Sequence, residues 1–139
     1  MVTALTHLTL LVEDQDEALG FYGDTLGLVV RDDETMAVEG MEGRWLTVSP
    51  ADGEFPQIAL TEADTPEKRE RVGSQVADHV TLVFATDDFD AEYERLRGAG
   101  VEFHGEPTVN PWGTEAVFED PYGNVHDLLE TADPPEALE

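Results

Sequence analysis

The chain has 139 residues, enough for one domain with one core, and it has no cysteine, which excludes disulfide frameworks, thiolate nucleophiles and Cys-ligated metal sites. Acidic residues number 32 against 7 basic ones, and the formal charge of −25 excludes binding to nucleic-acid phosphates or to anionic membranes. Lys68 is the sole lysine, and the carboxylates are spread over both halves of the chain. Such a surface repels itself unless salt screens it, with a Debye length of ~3 Å at 1 M, so the composition points to a halophilic protein of a salt-rich cytoplasm. No apolar run reaches the roughly 18 residues of a membrane span, and Met1-Val2-Thr3-Ala4 lacks the succession of a signal peptide, so a cytoplasmic location is expected.

In chain order, His7-Leu8-Thr9-Leu10-Leu11-Val12 alternates as a strand, and Asp14 or Asp16 caps an amphipathic helix that carries Ala18, Leu19, Tyr22 and Leu26 up to Gly27. Three short strands are predicted next, at 28–31, 44–49 and 57–61, with Gly53 turning the last two into a hairpin. The stretch from Ala63 to Ala77 is charge-balanced and holds one short helix, Pro66 to Val72, so it reads as a linker. His79-Val80-Thr81-Leu82-Val83-Phe84 then repeats the opening strand at an offset of 72 residues. Asp87 or Asp88 caps a second helix with Phe89, Tyr93 and Leu96 at helical spacing before Gly98 and Gly100. Strands are predicted at 101–103, 115–119 and 124–129, the last two separated by the turn Asp120-Pro121-Tyr122-Gly123-Asn124.

Each half therefore reads βαβββ, and the fold class is α+β, with two tandem βαβββ modules forming curved mixed sheets around a cleft. The modules span residues 1–62 and 78–131, joined by the linker 63–77, and an acidic tail follows at 132–139. Alternation along each opening strand places His7, Thr9 and Leu11 on one face, and His79, Thr81 and Val83 on the equivalent one. The opposite faces are wholly apolar and belong under the helices. Gln57 and Asp127 fall on the last strand of each module at nearly equal separation from His7 and His79. His126 by the same parity shares a face with Leu128, beneath a helix if Asp127 faces the cleft.

The motifs Ala18-Leu19-Gly20-Phe21-Tyr22 through Leu26-Gly27-Leu28, Leu96 through Gly100-Val101, and Asp120-Pro121-Tyr122-Gly123-Asn124 together resemble the vicinal oxygen chelate, or glyoxalase/bleomycin resistance/dioxygenase, superfamily. The resemblance spans residues 1–131. Metal-dependent members hold an ion with one residue from the first and last strand of each module, and His7, Gln57, His79 and Asp127 look like those positions. It implies one divalent metal ion, Ni, Co, Mn, Zn or Fe, because two imidazoles and a carboxylate suit that group. Gln57 departs from the Glu that glyoxalase I enzymes carry there, and Asp127 from the Glu of most metal-binding members.

The leading expectation is a metal-dependent glyoxalase-like lyase or epimerase acting on a small substrate with vicinal oxygens. In it Asp127 or Glu115 moves the proton, and Trp112 and Tyr122 contact substrate. Two alternatives stand beside it: a metal-free, antibiotic-binding protein resembling bleomycin-resistance proteins, and an extradiol-type dioxygenase. The resemblance further implies a homodimer. His104 reads as a loop or strand-end residue and receives no role.

Overall fold

A computed structural model describes residues 1–132, without the side chains of Val38 and Met41, so the acidic tail expected at 132–139 lies almost wholly outside the described residues. The chain divides into two units, Met1–Val72 and Gly73 onward, each of which is a βαβββ module with a four-stranded mixed sheet. The α+β class is as the alternation of the sequence requires.

In the first unit, β1 (His7–Val12) runs parallel to β4 (Gln57–Glu62), β3 (Met41–Ser49) is antiparallel to β4, and β2 (Val29–Val38) forms the far edge. Helix α1 (Gln15–Leu19) begins where the Asp14 carboxylate accepts the Glu17 N–H at 3.0 Å, which makes Asp14 rather than Asp16 the cap. It continues as a π-helical segment, Gly20–Thr25, closed by Leu26 N–H donating to Phe21 O at 2.9 Å. Leu10, Val12, Leu46, Val48, Ile58 and Leu60 are buried together with Ala18 and Tyr22, as the period-two and helical patterns predict. The short helix α2 (Pro66–Arg71) forms behind a Thr65 cap.

The second unit repeats the plan with strand order β5-β8-β7-β6. Its strands are β5 (Leu82–Ala85), β6 (Phe103–Asn110), β7 (Gly113–Glu119) and β8 (Val125–Thr131), and helix α3 (Phe89–Gly98) starts at Asp88, which accepts the Ala91 N–H at 3.2 Å. The core is aromatic: Phe89 stacks on Tyr93 at 5.5 Å, Tyr93 meets Phe103 at 4.6 Å, and Phe118 meets Phe103 and His126 at 5.8 and 5.6 Å. The expected turn 120–124 is knitted by Asp120, whose Oδ1 accepts the N–H groups of Tyr122 and Asn124 and whose Oδ2 accepts from Asn124 Nδ2. Gly73 lies against the Tyr122 carbonyl at φ 81°, where a Cβ would overlap the carbonyl oxygen.

Several strand boundaries differ from the sequence reading. β2 extends to Val38 instead of stopping at Arg31, and β6 extends to Asn110 instead of stopping at Phe103. Both are edge strands with a register irregularity, and their charges, together with Pro107 in β6, are the devices by which edges resist further pairing. Hydrophobic alternation is weak there because only one side is paired. β5 starts at Leu82, so His79 is not a strand residue: it lies in an exposed turn whose N–H donates to Val76 O at 3.3 Å.

Candidate functional site

In the first unit the parallel register of β1 and β4 sets His7 directly beside Gln57. Partners in register point to the same side of a sheet, and β3 adds Trp45, Thr47 and Ser49 to that face. The His7 ring lies 5.3 Å from Trp45 and 6.1 Å from Phe55, in tilted and edge-on geometry, while its Nδ1 contacts Thr6 Oγ1 at 3.0 Å. Gln57, Thr47 and Ser49 are buried polar groups, and each has an oxygen in a hydrogen bond. Thr47 Oγ1 accepts the Asp32 N–H at 3.1 Å and donates to Gln57 Oε1 at 2.7 Å. Gln57 thus spends its amide oxygen within the sheet.

In the second unit β8 alternates His126 and Asp127 onto opposite faces. His126 is fully buried, edge-on to Phe84 at 5.4 Å, and burial drives its pKa down to about 4 against the opposing charge of Asp120. It is a neutral core residue, which settles the parity of the strand: Asp127 faces away from the helix, in register with Val83 and Val117. Asp127 is buried, and its pKa is pushed up to about 7, first by burial and then by a hydrogen bond with Glu115 and that residue's charge. Burial and an adjacent carboxylate both disfavour the charged form of Asp127. Asn110 Nδ2 donates to Glu115 Oε1 at 3.0 Å, and Asp127 Oδ1 is buried without a hydrogen bond.

The structure therefore brings His7 together with Gln57, and Asp127 together with Glu115. Trp112 is exposed in the turn between β6 and β7, and Tyr122 is half-buried in the 120–124 turn. Neither was placed by any signal stronger than aromatic type. Trp45 and Thr47 were legible as strand residues, but their partnership with His7 and Gln57 depends on the β3–β4 register. A further group, Glu102, His104 and Glu119, brings its ligand atoms within 4.8 Å of one another. Alternation about Phe103 was the available signal for it.

Of the residues expected to hold a divalent ion, His7 and Gln57 lie side by side in the first unit, and His79 lies off β5, the strand paired with Asp127's β8, in the second. One lone pair of the Gln57 oxygen accepts from Thr47, and the Asp127 pKa is pushed up to about 7 by burial and by Glu115. What each face offers is recognition: aromatic edges and an amide N–H pair in the first unit, an unsatisfied buried carboxyl oxygen in the second. No helix of the described residues is long and apolar enough to cross a membrane.

The chain belongs to the Glyoxalase/Bleomycin resistance protein/Dioxygenase superfamily, whose family model matches residues 4–128. It is 37% identical over 133 residues to an uncharacterized protein of Shewanella frigidimarina (strain NCIMB 400), covering 96% of this chain and 97% of that one. Among solved structures it is similar to UcmS2, with 39% identity and a TM-score of 0.80 over 94% of this chain and 100% of the other. It is also similar to TnmS3, an antibiotic binding protein from Streptomyces sp. CB03234, with 33% identity and a TM-score of 0.77 over 94% and 98%.

Proposed function

We propose that this chain is a small-molecule binding protein that holds a planar, hydrogen-bonding ligand of the antibiotic kind and releases it unchanged. The observation that carries this reading is the Thr47 to Gln57 hydrogen bond of 2.7 Å. It turns the amide oxygen into the sheet and leaves the Nε2 donors for a ligand, beside the rings of His7, Trp45 and Phe55. Aromatic edges and one or two placed polar groups orient a flat molecule, whereas a Lewis-acid centre needs open oxygen donors. The similarity to an antibiotic binding protein at 33% identity supports the same reading.

The test is to titrate a panel of aromatic antibiotics into chelator-treated protein, following tryptophan fluorescence, and to recover the ligand for mass spectrometry. Saturable binding, intact ligand and a loss of at least roughly tenfold in affinity for Trp45→Ala are expected, in the range for removing an aromatic anchor. Binding that requires a re-added divalent ion, or ligand recovered chemically altered, would overturn it.

One observation favours a second reading, a proton-transferring lyase or epimerase. Burial and the neighbouring Glu115 push the Asp127 pKa up to about 7, the range that suits a general acid or base. Incorporation of solvent deuterium into a bound 2-oxo or 2-hydroxy acid, abolished by Asp127→Asn, is the outcome that would select it.

A further inference from the structure

The second unit gathers three side chains of metal-ligating type at positions other than those the family resemblance implies, on the face of the sheet that also carries Asp127. Phe103 is held in the aromatic core by Tyr93 and Phe118, and period-two alternation then sends its neighbours Glu102 and His104 to the opposite side. Phe118, fully buried, does the same to Glu119. The Glu119 N–H donates to Glu102 O at 3.0 Å, and His104 is in register with Val117, two residues before Glu119. Glu102, His104 and Glu119 are thereby fixed on one surface by backbone pairing and core anchors, before any ligand is considered.

The spacing suits an ion. His104 Nε2 stands 3.2 Å from Glu119 Oε1, close to the ~3.3 Å that separates two ligands of one tetrahedral ion with bonds of about 2.0–2.1 Å. The Glu102 oxygen is within 4.8 Å of both, so a modest side-chain rotation completes three ligands. Positive charge is favoured there by two carboxylates and by the overall charge of −25. Imidazole with two carboxylates selects a borderline ion over Mg(II) or Ca(II), which prefer all-oxygen sets.

We propose that Glu102, His104 and Glu119 form a binding site for one divalent transition ion of the Zn(II), Co(II) or Ni(II) class, clamping β6 to β7, with its remaining positions open to water. The site is independent of the ligand-binding reading above, because none of its residues belongs to the His7 or Asp127 groups.

The test is calorimetric titration of Zn(II) into the intact chain in molar KCl with excess Mg(II), which saturates non-selective carboxylate binding. The wild type and a His7→Ala/His79→Ala variant are each expected to take one equivalent. His104→Ala and Glu102→Gln are expected to bind at least tenfold more weakly, since loss of a mere outer partner of a ligand already costs about 10–100-fold. Both residues are exposed, so folding is preserved and is checked by circular dichroism. The Co(II) derivative should show visible ligand-field bands that His104→Ala loses. An unsaturable Zn(II) isotherm, unchanged binding in His104→Ala, or loss confined to the His7→Ala/His79→Ala variant would each overturn the proposal.

Discussion

Asp127 and Glu115 meet on the face of the second sheet that is turned away from helix α3, one carboxyl buried and the other hydrogen-bonded to it. His126, the residue before Asp127, points the other way into the aromatic core. One strand thus holds a carboxyl that resists losing its proton next to an imidazole that resists gaining one.

These neighbours give opposite pH dependences. The Asp127 pKa is raised from 3.8 to about 7, so its contribution is fully present below pH ~4 and is lost as pH rises toward 7. The His126 pKa is lowered from 6.5 to about 4, so its contribution is present above pH 6.5 and is lost as pH falls toward 4. At about 1.4 kcal/mol per pKa unit each slope amounts to a few kcal/mol, and in the wild type they offset each other over pH 4 to 6.5. Denaturant melts across that range should show Asp127→Asn gaining stability with rising pH and His126→Phe losing it. Parallel slopes in the two variants would contradict the assignment.

Thr47→Val keeps the shape of a buried side chain and removes its hydroxyl, leaving the Asp32 N–H and Gln57 Oε1 without their partner. A loss of about 1–3 kcal/mol is expected from urea unfolding. Thr47→Ser restores the hydroxyl and should recover most of it, which a purely steric role for Thr47 would not allow.

Gly73→Ala combines a left-handed backbone with a Cβ driven into the Tyr122 carbonyl, whereas Gly123→Ala at φ 88° meets open space. The second substitution should cost about 1–2 kcal/mol for the backbone alone. The first should cost more, because two backbone segments must separate. Equal melting temperatures for the two variants would show that the contact between Gly73 and the 120–124 turn is unimportant.

Salt should stabilise the fold. Among the described residues ion pairs, such as Arg44 with Asp16 and Asp33 at 2.7 and 2.8 Å, are few against a charge of −25, so screening relieves more repulsion than it removes attraction. A melting temperature that rises from low salt to molar KCl is the expected result, and a flat or falling curve would remove the halophilic reading.

The sequence by itself determined the two βαβββ modules, the Asp-capped helices and the 120–124 turn, because each rests on local physics: alternation, helical spacing and short-range side-chain hydrogen bonds. It also determined that His126 and Asp127 face opposite ways, since strand parity needs no tertiary information. The extents of β2 and β6 escaped it, as edge strands are paired on one side and need no apolar alternation. The packed sheets were needed to show that Gln57 gives its oxygen to Thr47, that burial and Glu115 together raise the pKa of Asp127, and that His104 joins Glu102 and Glu119. Each of these depends on which residues the strand register sets side by side, and register is fixed by packing of the whole sheet, not by the spacing of residues along the chain.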